Sequence, residues 1–418
     1  MRKLICLFIS LIMLFCMISC DHVKKDNGEN TDKGSAGENG DVGNENDGET
    51  ENEDDNIPEY ETDENGLIYT LLDDGTYSVG GSESLSVSEV IIPDSFNGKT
   101  VTHISLYAFI NMSDLTSVDI PESIEVISDS AFYGCSALTS IDLPDGLTSI
   151  GNEAFYGCRS LTSVGFGEGL TSIGQGAFSG TGITSLTCPD SLTSIEKSAF
   201  QGCKSLSEVT FTNNLTSIGE TAFYRCTSLK GVTIPGSVKN IGEAAFKNCS
   251  ELEAVVIEKG VLSIGSSAFE ACSAIKSVSV PDSVTDIGYA AFAYCEGLED
   301  VIIGNGVKTV GNSAFDGCES LVSLTLGNSV RSIGNRAFYG CTELSSVTIP
   351  DSVKSISRQA FYQCAGLTEV IFENTDGWRY SEDDDSTGGE NIPASALSDK
   401  STAAEYLTAT YYNYYWKR

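Results

Sequence analysis

Histidine and basic side chains are scarce in this chain of 418 residues. It holds 2 His and 24 Lys+Arg against 59 Asp+Glu, for a formal net charge of −35. Neither His22 nor His103 stands in a constellation that would activate a serine or cysteine nucleophile. A Gly-rich phosphate loop, a C-x-x-C pair and a His-rich metal spacing are also missing. We therefore expect no enzyme activity, no cofactor and no metal site, and the acid excess argues against nucleic acid as a partner.

Long apolar runs are missing too, apart from one at the N-terminus. Residues 4–17 are apolar, which is short for a bilayer span and typical of the core of a signal peptide. The run ends in Met17-Ile18-Ser19-Cys20, which resembles a bacterial lipobox, although Met17 stands where Leu is usual. The resemblance implies a signal peptide at 1–19 and a diacylglyceryl group on the sulfur of Cys20. An ordinary secretory signal, a short anchor and lipidation at Cys16 are the alternatives.

An acidic segment follows the lipidation site. Residues 21–65 hold 17 Asp/Glu and 3 Lys, with Tyr60 as the one aromatic residue. Such a segment cannot bury enough apolar surface to offset its ordering entropy, so we predict a disordered tether over residues 20–65. A weak divalent-cation site at Glu53-Asp54-Asp55 is the alternative interpretation of its acid content.

A repeat dominates the remainder of the chain. The pair Ala-Phe recurs in register every 23 residues, with one step of 22, at Phe109, Phe132, Phe155, Phe178, Phe200, Phe223, Phe246, Phe269, Phe292, Phe315, Phe338 and Phe361. The unit at residues 138–160 reads LTSIDLPDGLTSIGNEAFYGCRS, and the shared pattern is LxxLxLPxxLxxIGxxAFxxCxx. A fixed period of this length indicates stacked structural units.

Each part of the unit has a physical interpretation. Leu138, Ile141 and Leu143 alternate in the way of a short strand, which the frequent Pro then ends. Residues 147–150 predict a second β segment, and Gly151 predicts a turn. The Ala-Phe-x-x-Cys segment predicts a short helical or 3₁₀ turn whose Phe and Cys point inward. A single unit cannot bury its apolar face, so the units must stack, at about 4.8 Å per strand.

The pattern resembles the 23-residue class of leucine-rich repeats in BspA-like bacterial surface antigens, over residues 85–373. The resemblance implies a β-rich leucine-rich-repeat solenoid of about 12 repeats, with parallel strands joined by short helical or 3₁₀ turns. It also implies exposure on the cell surface and adhesion to host proteins or other cells.

Open ends of a solenoid need caps. Residues 66–84 predict a β-hairpin that closes the N-terminal end. Residues 374–418 form the predicted C-terminal cap, with a short helix at 398–408 whose N-cap is Ser398 or Asp399. The aromatic residues of the segment 411–416 either cover the last repeat or stack on a sugar ring, and Trp416 is the residue that would test the second interpretation.

Ten cysteines stand three residues after the repeated Phe, at Cys135, Cys158, Cys203, Cys226, Cys249, Cys272, Cys295, Cys318, Cys341 and Cys364. Cys188 occupies an inward strand position instead. Equivalent side chains of stacked units point the same way, whereas a disulfide needs two Cβ atoms directed toward each other. We therefore predict reduced thiols in the core, where Met112 and Thr181 stand in two other units.

The outward positions of the repeated strand form the candidate binding face. Most carry Ser or Thr, and Val256 and Ile302 are apolar, which indicates either a partner site or β-propensity alone. The candidate ligand contacts are Asp142, Thr187, Thr210, Val256, Ser279, Ile302 and Thr325.

The sequence favours a lipid-anchored, adhesin-like protein on the bacterial outer-membrane surface. Its partner would be a protein of the host extracellular matrix or of a host cell surface, and its membrane contact the acyl group on Cys20. The alternative is a periplasmic or cell-wall scaffold, or a polysaccharide-binding module.

Overall fold

Every unit of the repeat contributes one strand of three or four residues, because its alternating stretch buries every second side chain. In the strand Ser140–Asp142, Ile141 is buried while Ser140 and Asp142 face solvent. The computed structural model describes residues 60–82, 85–384 and 389–418. The predicted signal peptide, Cys20 and the predicted tether as far as residue 59 lie outside the described residues.

These strands run parallel along one side of a solenoid, which we call the long-strand face. Its strands are Glu89–Ile91, Ser117–Asp119, Ser140–Asp142, Ser163–Gly165, Ser185–Thr187, Glu208–Thr210, Gly231–Ile234, Ala254–Ile257, Ser277–Val280, Asp300–Ile303, Ser323–Thr325, Ser346–Ile349 and Glu369–Phe372. The predicted parallel solenoid is confirmed, with about 13 turns rather than 12.

A second parallel sheet, the short-strand face, is formed by the second β segment of each unit. It begins at Lys99–Ile104 and continues through Val126–Ile127, Ser149–Ile150, Ser172–Ile173, Ser194–Ile195, Ser217–Ile218, Asn240–Ile241, Ser263–Ile264, Asp286–Ile287, Thr309–Val310, Ser332–Ile333 and Ser355–Ile356. The strand Ser95–Phe96 pairs antiparallel with the start of the first of these.

The core between the faces is a column of stacked phenylalanines. Ring centroids of successive Phe residues lie 5.1–5.4 Å apart from Phe109 to Phe361, and the rings are nearly parallel. Each buried Phe contributes about 1.5–3 kcal/mol of transfer free energy. Since each ring contacts the rings before and after it, this stabilisation belongs to pairs of turns and not to single turns.

The Ala-Phe segment forms consecutive hydrogen-bonded turns, and not the helical or 3₁₀ turn that the sequence predicts. The N–H groups alternate in direction: Tyr133 donates back to the carbonyl of Ser130 (3.1 Å), whereas Phe132 donates to Ala154 of the next unit (2.7 Å). Ser130 and Gly134 adopt left-handed φ angles of 53° and 72°. Because every second N–H bonds the neighbouring turn, a helical hydrogen-bond series cannot form.

Gly151 allows two turns to approach closely, which differs from its predicted role in a turn. A Cβ at this position would lie 2.5 Å from the backbone nitrogen of Asp129 in the preceding unit. The residue with the left-handed backbone is Glu153, two positions later (φ 54°). The glycine is required by contact between turns and not by its own φ angle.

The N-terminal cap is a hairpin, as the sequence predicts. Leu67–Leu71 pairs antiparallel with Tyr77–Gly81, which continues the short-strand face by parallel pairing with Lys99–Ile104. A third strand, Tyr60–Thr62, pairs antiparallel with Leu67–Leu71. The predicted tether therefore extends too far: residues 60–65 belong to the cap, because Tyr60–Thr62 gains backbone pairing at the edge of the hairpin.

The C-terminal cap covers the last turn with strands and short helices. The strand Tyr415–Lys417 pairs antiparallel with Ser355–Ile356 and with Arg379–Ser381, which in turn pairs with Glu390–Asn391. The helices are Ala394–Ser398 and Lys400–Glu405, and a π-helical turn follows at Tyr406–Thr410. Of the two predicted N-cap residues, Asp399 is the one that accepts a hydrogen bond, from the N–H of Thr402 (2.8 Å).

The eleven cysteines of the described residues are free and buried. In ten of them the thiol lies beside the phenylalanine carbonyl of the preceding unit, at 3.0 Å for Cys135 and Phe109 and at 3.4 Å for Cys341 and Phe315. This geometry directs the sulfur of these ten residues toward a backbone oxygen, and none of the eleven cysteines forms a disulfide.

Candidate functional site

The seven predicted contact residues occupy one position of the long-strand face, and all of them are exposed. Strand register places Thr187 beside Thr210, and Ile302 beside both Ser279 and Thr325. Where their strands pair, neighbouring members of this column are separated by the strand spacing of about 4.8 Å. The structure therefore places the predicted residues in one column along the solenoid, which we call the exposed column.

The apolar members of the exposed column are not adjacent. Val256 and Ile302 are each 51 % exposed, and Ser279 lies between them. The same column also contains Ile91 and Ile371, which sequence reasoning did not select. The sequence could have revealed Ile371, because the apolar run Val370, Ile371 and Phe372 repeats the pattern seen at Val256.

Ion pairs link the later turns but not the earlier ones. Lys197 and Glu220 lie 2.8 Å apart, Lys276 and Glu299 lie 3.2 Å apart, and each pair joins consecutive turns. Residues 105–195 hold 10 Asp/Glu and one basic residue, Arg159. Within the described part of the chain no ion pair involves this segment. The first third of the repeat is therefore a region of unneutralised negative charge.

A cleft opens in this region between the strands Ser163–Gly165 and Ser185–Thr187. The two strands are joined at their start, where the N–H of Thr184 donates to the carbonyl of Thr162 (3.2 Å). Beyond that point they separate and leave a cavity of about 440 Å³. Its lining consists of Val164, Gly165, Phe166, Glu168, Ser185, Thr187, Cys188, Pro189 and Asp190. Of the predicted contacts, Thr187 lines the cleft.

Asp142 lies on the other side of the strand Ser163–Gly165 from this cleft. A Cβ on Gly165 would be 2.7 Å from the carboxylate oxygen Oδ1 of Asp142. The missing side chain at Gly165 thus leaves room for the Asp142 carboxylate beside this strand. Asp142 and Thr187 lie on opposite sides of the strand, while the other five predicted residues continue along the later turns.

The buried thiols are unsuited to nucleophilic chemistry. Burial raises the pKa of Cys135 to about 12 and that of Cys203 to about 11, because the apolar core disfavours a thiolate. Among the residues that the structure describes, no group of three His, Cys, Asp or Glu side chains could hold a metal ion. None of the described helices is long and apolar enough to cross a bilayer.

Trp416 is 1 % exposed and is packed among Phe372, Trp378 and Tyr411. Its indole N–H donates to the carbonyl of Tyr411 (3.2 Å). A sugar cannot stack on this ring while the cap is folded, so of the two predicted roles for the terminal aromatics, Trp416 has the structural one.

Comparison with known proteins identifies the repeat. The model of the BspA type leucine rich repeat region matches residues 82–195, 171–299 and 286–377. A leucine-rich repeat protein from Bacteroides ovatus is 29 % identical, with 73 % of this chain and 87 % of that chain covered and a TM-score of 0.60. A leucine rich cell surface protein from Faecalibacterium prausnitzii is 27 % identical, with 76 % and 95 % covered and a TM-score of 0.47. No curated protein matches the chain significantly.

Proposed function

The chain belongs to the BspA-type leucine-rich-repeat family, and we propose on this basis that it is a lipid-anchored adhesin of the bacterial outer surface. Its long-strand face would bind a protein of the host extracellular matrix or of a host cell surface. Proteins built from such repeats generally serve as scaffolds for binding and not as enzymes.

The exposed column is the observation that carries this proposal. Its side chains repeat at one position from turn to turn, and none of the seven predicted residues is covered by another part of the described chain. Hydroxyl groups alternate with Val256 and Ile302, so the surface combines hydrogen-bonding groups with apolar contact area. This mixture is typical of surfaces that bind proteins.

The lipobox and the acidic tether support attachment to the membrane. Cleavage before Cys20 would leave an acylated sulfur at the start of the mature chain, and about 40 residues would separate it from the hairpin cap. A neutral coil of that length averages about 35 Å end to end, and charge repulsion lengthens it. The solenoid would then be held clear of the lipid headgroups.

Protease shaving of intact cells tests the location. We expect the solenoid to be shed while a periplasmic control protein survives and an acyl-labelled stub remains with the cells. The Cys20→Ala variant should lose both the acyl label and membrane retention. Protection of the solenoid until the envelope is broken would contradict surface exposure and favour the periplasmic or cell-wall scaffold.

Binding to immobilised fibronectin or fibrinogen tests the face. Val256→Asp together with Ile302→Asp should weaken binding by about tenfold or more, since each change places a charge in an apolar contact. Leu262→Asp is the matched control, because Leu262 is 45 % exposed and precedes a strand of the short-strand face. Equal losses in the two proteins would exclude the long-strand face as the specific site.

A further inference from the structure

The cleft coincides with the one irregular step of the repeat. Phe178 and Phe200 are 22 residues apart, whereas all other neighbouring pairs are 23 apart. The missing residue lies in the connection Thr181-Gly182-Ile183, where other units have two residues between the Cys and the Leu. The connection is tight: a Cβ on Gly182 would lie 2.5 Å from the carbonyl oxygen of Arg159. The strand that follows, Ser185–Thr187, starts one residue early and separates from its predecessor.

Separation leaves the two strand edges without their usual hydrogen bonds. In the preceding turn the N–H of Leu143 donates to the carbonyl of Gly165 (2.8 Å), and in the following turn Cys188 donates to Thr210 (3.0 Å). The equivalent bond across the cleft would join the N–H of Phe166 to the carbonyl of Thr187. Within the described ranges no such bond forms. Both edges are therefore open to an extended peptide chain.

Other gaps in the long-strand face are narrower. The strands Ser117–Asp119 and Ser140–Asp142 also lack ladder pairing, as do Ser323–Thr325 and Ser346–Ile349. Both of these pairs stay closer together than the pair that borders the cleft. The cleft is thus a feature of the short unit and not a general property of the sheet.

The walls of the cleft suit a basic side chain. Glu168 and Asp190 stand at its mouth, both exposed, and no ion pair within the described ranges involves either carboxylate. Ser185 and Thr187 add hydroxyl groups. Phe166 is only half-buried here, whereas the equivalent Leu143 is fully buried, so it provides an apolar wall for an aliphatic stem.

We propose that the cleft binds an extended, basic segment of the protein ligand. A Lys or Arg side chain enters between Glu168 and Asp190, and the main chain of the ligand bonds to the open edges at Phe166 and Thr187. The cavity of about 440 Å³ is large enough for such a side chain with its flanking backbone. This inference rests on the proposed function only in requiring that the ligand be a protein.

A defined peptide tests the proposal. The probe is a fluorescein-labelled ten-residue peptide of alternating Lys and Val, and its Glu-Val counterpart is the control peptide. Anisotropy is measured with the mature full-length protein at physiological salt. We expect the basic peptide to bind and the acidic peptide not to bind. Glu168→Gln with Asp190→Asn should weaken binding by about tenfold or more, since two charge-assisted contacts are lost.

The matched variant is Glu258→Gln with Asp282→Asn, which removes two carboxylates from the same edge of later turns. It should change the affinity by less than about twofold, the size of a screened long-range effect. Thr187→Arg places a cation in the cleft itself and should abolish binding. Equal weakening by both double variants would show general attraction to an acidic protein and overturn the proposal. Absence of any binding by the basic peptide would also overturn it.

Failure of the cleft and failure of the adhesin proposal give different results. If the basic peptide binds the two double variants equally well, while Val256→Asp with Ile302→Asp still weakens binding to the host protein by about tenfold or more, the cleft proposal alone is wrong. If the peptide responds as expected and host-protein binding does not depend on Val256 and Ile302, the cleft stands and the function of the exposed column is wrong.

Discussion

The cysteine thiols are held where ionisation is most costly. Burial raises the pKa of Cys295 to about 12, while an exposed thiol ionises near 9. Below pH 9 the thiol is protonated in both the folded and the unfolded chain, so its contribution to stability is constant. Above pH 9 the unfolded chain ionises first and binds fewer protons than the folded chain. The free energy of unfolding must therefore fall as pH rises from about 9 toward 12.

The Cys295→Thr variant removes the contribution of one buried thiol to this pH dependence. Thr is a fair replacement, because Thr181 already fills the equivalent position of another unit. Between pH 7 and pH 10 the variant should lose about 1 kcal/mol less stability than the parent protein, which is the linkage contribution of one thiol. Urea unfolding in the presence of a reductant measures both proteins. The control variant Thr325→Ser, on the exposed column, should show the same pH dependence of the unfolding free energy as the parent protein. If Cys295→Thr also showed the parental pH dependence, the buried thiol would not be its cause.

The residues with a left-handed backbone could not be predicted from their own residue types. The turns place Ser130, Glu153, Ser198 and Arg336 at φ angles of 53–57°. Glycine would be the usual signal for this backbone, and these residues carry no such signal. Only the strict period places them at one point of the unit. The inward Phe and Cys, in contrast, follow from composition and spacing, because a buried column needs apolar side chains at one fixed position.

At the level of the strands and turns, glycines set how closely neighbouring units approach. A Cβ added at Gly151 would lie 2.5 Å from the backbone of Asp129, whereas a Cβ added at Gly231 would lie 3.7 Å from its nearest neighbouring atom. Both glycines lie in or beside a strand of the repeat, so their backbone environments are comparable. The same substitution should therefore have opposite consequences at the two positions.

Gly151→Ala should destabilise the protein by about 1–3 kcal/mol, because two turns must move apart to admit the methyl group. Gly231→Ala should be neutral or stabilising by up to about 1 kcal/mol, because it restricts the unfolded chain without a clash. Thermal unfolding followed by circular dichroism compares the two. A Gly151→Ala protein as stable as the Gly231→Ala protein would exclude close approach as the role of Gly151.

The strands themselves were predictable, since alternation of apolar residues fixes both their position and their outward side chains. The cleft was not. The 22-residue step between Phe178 and Phe200 is visible in the sequence, but a shorter connection can either tighten a turn or separate two strands. The close approach of Gly182 to Arg159 does not decide between them, because Gly297 and Gly366 approach the preceding turn equally closely in units of 23 residues. The outcome depends on how the whole backbone of the two turns packs. The pairing of Tyr60–Thr62 was hidden for a similar reason, because its exposed residues resemble those of the tether.

Across the whole molecule, charge is distributed unevenly along the repeat. Residues 105–195 have ten acidic residues and one basic residue, and the first ion pair between turns is that of Lys197 and Glu220. Carboxylates on neighbouring turns repel each other in the early part of the repeat, whereas opposite charges attract weakly in the later part.

Salt should therefore act in opposite directions on the two parts. Raising NaCl from about 0.05 M to about 0.5 M shortens the screening length from above 10 Å to about 4 Å. We expect amide hydrogen exchange in residues 105–195 to slow, and exchange in residues 230–300 to stay constant or quicken. Mass spectrometry of peptic fragments reports both segments in one sample. Uniform slowing of both segments would indicate a general salt effect and contradict the charge argument.

The hydrogen bonds and ring contacts of each turn reach only the turn before it and the turn after it. This has a mechanical consequence for a protein held at one end and loaded at the other. A pulling force acts on the bonds of the terminal turn alone, so the turns should unfold one at a time. Each unfolding event releases 23 residues, which extend the chain by about 75–80 Å. A solenoid of this design would yield in small, repeated steps under a pulling force, lengthening by many times its folded size before the last turn is lost.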